Sequence, residues 1–180
     1  MNIFFITPFP DSIKTLVENN IANQGSKKGL VNTNIINLRD FAKDSYKKID
    51  DEPYGGGSGM VMMCQPFFDA IDFCISQSDT KPKVIFPSPK GKVLNHSIAS
   101  ELSKEESLIF ICGHYKGLDE RIIEKYVDLE ISIGDYVISN GELSSMIVFD
   151  SIVRLIPGVL NDLNSAMTDS FVDDLLDAPY

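Results

Sequence analysis

Four stretches of the 180-residue chain carry residue types suited to bringing bare backbone against a ligand. Residues 53–60 read PYGGGSGM, with glycine at 55, 56, 57 and 59, and "FPSPKG" spans 86–91. "CGHYKGLDER" covers 112–121 and "SIGDYVISNGEL" covers 132–143. Glycine leaves N–H and C=O groups unshielded, so such loops read the edges of a flat ligand or let a phosphate approach closely. A phosphate-gripping loop requires GxxxxGK[ST], and a dinucleotide turn requires GxGxxG between strand and helix. Neither pattern occurs, and no lysine follows the glycines at 55–59. Read alone, that loop is a close-packed turn.

Other chemistry is sparsely provided. Cys64, Cys74 and Cys112 form no CxxC pair and sit in apolar contexts, which reads as buried thiols in a reducing compartment. His96 and His114 are the only histidines, too few for a zinc ligand set without paired cysteines. No metal site is therefore assigned from spacing.

The elements that must position these loops alternate between strand and helix. "NIFFIT" is a first strand, and Ile13, Leu16, Val17 and Ile21 give helical spacing over 11–22. Residues 30–38 alternate as a second strand, and 44–59 form a loop. "QPFFDAIDFCISQ" (65–77) predicts a helix with proline in its first turn. "KVIFPS" (83–88) and "SLIFICG" (107–113) are apolar strands of the buried parallel kind, each followed by a helix. "LEISIGDYVIS" (129–139) predicts a strand, and 141–157 a helix stopped at Pro157-Gly158. This is an α/β pattern: a mostly parallel sheet with helices on both faces. Open sheets of that kind bind ligands at the carboxyl ends of their strands, where the last three loops fall.

Length and composition suit one globular domain, and hydrophobic residues make up 43%. No apolar run is long enough for a membrane span, and the N-terminus lacks the basic and cleavage-site features of a signal peptide. The expected location is the cytoplasm. Net charge is −10, unevenly spread: +2 over residues 1–50, −3 over 51–125 and −9 over 126–180. Nucleic-acid affinity rests on neutralised phosphates, so binding would need a local patch. Lys27, Lys28, Arg39, Lys43, Lys47 and Lys48 are its candidates.

Longer motifs sharpen the reading. "DDEPYGGGSGMVMMCQP", "CGHYKGLDERI", "SIGDYVISNGEL", "LIPGVL" and "DSFVDDLLDAPY" resemble the bacterial tRNA (guanine-N1)-methyltransferases, a SPOUT-class family, in register from "FFITPFP" to Tyr180. The resemblance implies a deep trefoil knot around residues 85–140 and methyl transfer from S-adenosylmethionine to N1 of guanosine 37 in tRNA. It implies a homodimer whose active site combines residues of both subunits, and admits a divalent metal such as Mg2+. Residues 1–180 would be the catalytic domain, the family's small C-terminal tRNA-gripping domain lying beyond Tyr180.

Onto individual positions, the family pattern carries a cofactor pocket of Phe86, Pro87, Ser88, Pro89, Gly113, Tyr115, Gly117, Ile133, Gly134, Asp135, Tyr136, Val137 and Ile138, closed by Asn140 and Gly141. Tyr54, Gly55, Gly56, Gly57 and Gly59 fall beside the target guanine. Asp169 falls on the general base and Arg154 on its catalytic partner. From the residues alone, Asp169 would cap a helix and Arg154 would pair with Asp150. Four positions depart from the pattern: His114 replaces arginine, Lys116 glutamate, Asn140 glycine and Ser144 proline. Asparagine tolerates a left-handed backbone, as glycine does more readily. The alternatives are a non-catalytic relative that binds cofactor or tRNA, and an unrelated nucleotide-binding α/β module, which the missing phosphate-loop fingerprints disfavour.

Overall fold

The computed structural model describes residues 1–19, 21–160 and 170–171. Its centre is a five-stranded sheet in the order β2-β1-β6-β5-β7. The strands are β1 (Asn2–Thr7), β2 (Asn32–Asn37), β5 (Lys83–Val93), β6 (Ser107–Ile111) and β7 (Leu129–Ser132), and every pairing among them is parallel. Two short strands, β3 (Asp50–Asp51) and β4 (Val61–Met62), pair antiparallel at the two ends of the glycine-rich loop. They give a base to a segment whose sequence predicts only loop.

Helices cover both faces, as the alternating pattern requires. The period of two sends Ile3, Phe5, Leu108 and Phe110 to one face, against α1 (Pro10–Glu18), α2 (Ile21–Lys27), α4 (His96–Leu102) and α6 (Gly141–Val153). Phe4, Ile6, Ile109 and Ile111 face the other way, onto α3 (Cys64–Ser76) and α5 (Glu120–Tyr126). Phe5 stacks on Phe110 and meets Phe149 of α6 edge-on, each at 5.2 Å between ring centres. Such pairs add about 0.5–1.5 kcal/mol beyond burial, so this triad ties α6 to the two central strands.

Three boundaries differ from the sequence reading. The helix predicted over 11–22 ends at Glu18 and a second begins at Ile21. Asn19 Nδ2 donates to the Thr15 carbonyl at 2.8 Å, a side-chain bond that competes with continuing the ladder. Strand β5 runs on to Val93 through a register shift between Pro87 and Lys92. Pro87 and Pro89 lack N–H groups for the ladder, so the segment bulges before Lys92 and Val93 pair again with β7. The strand predicted over 129–139 stops at Ser132. Ser132 Oγ accepts from the Gly134 N–H at 3.2 Å, and the resulting turn frees residues 133–139 from the sheet.

Candidate active site

The three strand-end loops meet in one pocket of about 280 Å³. The end of β5 supplies Phe86, Pro87, Ser88 and Pro89, and the loop after β6 supplies Gly113 to Gly117. The end of β7 and its loop supply Ile131 to Gly134 and Tyr136 to Ser139, while Asn140, Gly141 and Ser144 come from the start of α6. Every residue assigned to the cofactor site from sequence lines this pocket except Asp135, which is exposed at the turn. Ile131, Ser132, His114, Lys116, Ser139 and Ser144 also line it and were not assigned.

Part of what the pocket offers is main chain. Val137, Ile138 and Ser139 take part in no backbone–backbone hydrogen bond among the described residues, so their amides and carbonyls are available to a ligand. Asn140 is not left-handed, contrary to the possibility its glycine-replacing position suggested. Its φ is −154°, and its side chain caps α6 by accepting from the Leu143 N–H at 3.1 Å. Asparagine is thus a gain at this position, because glycine has no capping oxygen.

The floor is made by close backbone contact. The Gly141 N–H donates to the Gly113 carbonyl at 2.9 Å. A Cβ on Gly141 would lie 2.4 Å from the Gly113 nitrogen, so no larger residue fits at the start of α6.

The glycine-rich loop lies outside the pocket lining but is laced to its rim. Lys116 N–H donates to the Met60 carbonyl at 3.1 Å, and Met62 N–H to the Gly117 carbonyl at 3.0 Å. The Lys116 ammonium donates to Ser58 Oγ at 3.1 Å. Gly56, Gly57 and Gly59 have φ of 76°, 111° and 96°, the region that favours glycine. Added Cβ atoms on Gly55, Gly56 and Gly57 would meet nothing within 4 Å. Gly55 to Gly57 are therefore an open surface, not the close-packed turn the residues alone suggested, while a Cβ on Gly59 would lie 3.0 Å from the Lys116 side chain. Tyr54 is fully exposed beside it.

Arg154 does not join the cofactor pocket. It lines a separate cavity of about 530 Å³ with Leu94, Asn95, His96, Ala99, Ser151, Leu155, Ser170 and Phe171. Asp169 and most of the helix predicted around it lie outside the described residues; its neighbour Ser170 lines the Arg154 cavity.

The cysteines are placed for packing. Burial pushes the Cys74 thiol up to about 12. Burial first, and then the Glu142 carboxylate, push Cys112 up further, so neither is a thiolate nucleophile at neutral pH. Three of the six basic patch candidates pair with acids and two donate to carbonyls. Lys47 pairs with Asp40 and Lys48 with Asp51, each at 2.9 Å, and Lys43 lies 3.8 Å from Asp69. Arg39 donates to the Lys47 carbonyl at 3.2 Å, and Lys28 to that of Gly158 at 2.8 Å. Among the described residues, no group of three or more His, Cys, Asp or Glu could hold a metal ion.

A family model described as tRNA (Guanine-1)-methyltransferase TrmD matches residues 1–180. The chain belongs to the tRNA (guanine-1)-methyltransferase family. A tRNA (guanine-N(1)-)-methyltransferase of Ruminiclostridium cellulolyticum is 50% identical over 179 residues, covering 99% of this chain and 77% of the relative. One from Anoxybacillus flavithermus is 47% identical over 180 residues, 100% of this chain and 74% of the relative. The crystal structure of tRNA (m1G37) methyltransferase from Aquifex aeolicus superimposes with a TM-score of 0.82 at 40% identity, covering 90% of this chain and 72% of that one. As a member of the tRNA (guanine-1)-methyltransferase family, the chain joins a pocket of three strand-end loops, a glycine loop laced to its rim and a distant arginine in one fold.

Proposed function

We propose that this chain transfers a methyl group from S-adenosylmethionine to N1 of guanosine 37 in tRNA. The observation that carries the reading is the convergence of three strand-end loops on one pocket in a chain of this family. The donor supplies an electrophilic sulfonium methyl. Residues 133–139 fit an adenine edge, because their backbone groups are free of the sheet and three consecutive residues are unbonded. The glycine loop, with Tyr54, would receive the target nucleotide at the rim. A knot around residues 85–140 belongs to the same proposal, supported by the close approach of Gly141 to Gly113 across the pocket floor.

The guanine N1 carries a proton, so its lone pair is not free. Asp169 takes that proton while the N1–CH3 bond forms and the S–CH3 bond breaks, leaving its electron pair on sulfur. Negative charge develops at O6, where the Arg154 guanidinium stabilises it. Arg154 and the cofactor pocket share no lining residue within one chain. That separation supports a homodimer, in which the base and arginine of one subunit serve the pocket of the other. Exposed Phe9, Leu143 and Ile147 give an apolar surface for such pairing. No helix among the described residues is long and apolar enough to cross a membrane. We place the enzyme in the cytoplasm, with its tRNA substrate, and assign Mg2+ no residues.

Two outcomes are expected. Calorimetric titration should show S-adenosylmethionine binding to the 180-residue chain, since all pocket segments lie within it. Absence of heat and of any thermal shift at millimolar ligand would remove the pocket assignment. Light scattering at tens of micromolar protein should report a dimer; a monomer alone would argue strongly against the shared site. Transfer to a tRNA with guanosine at 37, but not to one with adenosine there, tests the whole reaction.

A further inference from the structure

The pocket loop is anchored by a buried polar triad that the methyl-transfer reading leaves unused. Glu142, in the first turn of α6, is 2% exposed. Its Oε1 accepts from Thr7 Oγ1 at 2.5 Å, and its Oε2 lies 2.6 Å from His114 Nε2. Thr7 ends β1 and accepts the Phe9 N–H at 2.9 Å, and the Phe9 ring lies 4.9 Å from that of His114. One carboxylate therefore ties together the end of β1, the loop after β6 and the start of α6. A carboxylate so deeply buried persists only when its oxygens are satisfied, and the helix N-terminus adds favourable amide dipoles.

The anchored residue stands beside the one that needs anchoring. Tyr115 has φ of 58°, a left-handed conformation that non-glycine residues keep only when their surroundings impose it. Its neighbour His114 is fixed at four points: the ring on Glu142, the ring on Phe9, the backbone N–H on Met62 Sδ at 3.1 Å, and the carbonyl, which accepts from the Gly117 N–H at 3.2 Å and closes the turn over Tyr115. Release of the ring would let Tyr115 relax to ordinary dihedrals and withdraw from the pocket wall.

We propose that His114, held by Glu142 and Thr7, is a positioning residue that fixes Tyr115 in its cofactor-ready conformation. Through it, the chain keeps with an imidazole the loop anchoring that a guanidinium could supply from the same position. The inference rests on the cofactor-pocket reading, and its test separates the two.

His114→Leu keeps the packing on Phe9 and removes the donor to Glu142. His114→Gln places an amide nitrogen at nearly the same reach, and His114→Arg offers a forked donor to the same carboxylate. Hydrogen exchange of amides 113–117, measured without ligand, should be about tenfold or more faster in His114→Leu, as expected for loss of a hydrogen bond to a charged group. Gln and Arg should restore protection. The dissociation constant for S-adenosylmethionine should follow the same order, with turnover at saturating cofactor changed far less than affinity. Unchanged exchange and affinity in His114→Leu would overturn the proposal, as would failure of both Gln and Arg to restore them. A wild-type chain that binds no cofactor, yet shows the exchange pattern, would confirm the anchor and remove the pocket reading instead.

Discussion

Methyl transfer should fall by about 10²–10⁴-fold when Asp169 is replaced by asparagine, the range general-base catalysis contributes. Asparagine keeps the size of the side chain and an oxygen that can cap a helix, but it takes no proton at neutral pH. A residue that only capped a helix would tolerate the change with little loss of rate. Cofactor affinity should stay near wild type, because among the described residues the pocket is lined by 86–89, 113–117, 131–134, 136–141 and 144. Arg154→Ala should cost roughly 3–4 kcal/mol of transition-state stabilisation, the typical loss of one donor at a developing oxyanion. A surface partner of Asp150 would contribute only about 0.3–0.5 kcal/mol. Single-turnover assays are the appropriate measurement, on the 180-residue chain and on a form continued to the length of relatives of which it spans 77% and 74%. Near-wild-type transfer by Asp169→Asn would leave the fold and family standing and remove the mechanism.

The second large effect is on the fold and pocket together. Gly141 begins α6, where alanine would ordinarily be favoured over glycine by about 1 kcal/mol. Here the added methyl would lie 2.4 Å and 2.6 Å from the nitrogen and oxygen of Gly113, and 2.8 Å from the Cys112 carbonyl carbon. These are backbone atoms, so no side chain can swing aside. Either α6 or the loop after β6 must shift. Moving α6 disturbs Met146, Val148, Phe149, Ile152 and Val153, all buried in the core. Moving the loop disturbs the pocket wall. Overpacking costs about 1–3 kcal/mol, occasionally more, and each kcal/mol lowers the melting temperature of a chain this size by about 2–4 °C. Gly141→Ala should therefore melt about 2–12 °C lower and lose most of its cofactor affinity. Gly55→Ala is the control, since its Cβ meets nothing within 4 Å, and its melting temperature should not move. Equal melting and binding in Gly141→Ala would show that the contact is soft and that the pocket floor is not built as described.

Local chemistry carries over from sequence to structure where the interacting groups are neighbours along the chain. Periodicity of two at Ile3 to Ile6 and Leu108 to Ile111 decides which side chains face which helices, and hence the buried parallel strands. The long motifs pointed to the family and to 14 of the residues that line the pocket, but they missed six others and included Asp135, which does not line it. Composition alone also excluded a membrane-spanning run and a disulfide framework.

Other features depend on atoms far apart in sequence. Residues 133–139 look like a continued strand because Ile133, Tyr136, Val137 and Ile138 carry the apolar character of β7 onward, yet the turn at Ser132–Gly134 removes them from the sheet and frees their backbone for a ligand. The glycine loop does not reveal whether it is packed or open; only the space around Gly55 to Gly57 and the bonds from Met60 and Met62 to Lys116 and Gly117 decide that. Glu142 reads as an ordinary acidic residue in a helix's first turn, but 135 residues separate it from Thr7 and 28 from His114, its partners in the buried triad. Gly141 gives no sign that its hydrogen atom faces a second backbone. In each case, burial and hydrogen-bond pairing are set by how the strands and helices pack. The sequence by itself determined the layers, the family and the identity of the pocket loops. The tertiary structure decided which of their groups remain free and which hold the pocket in shape, because desolvation and close contact exist only once distant segments meet.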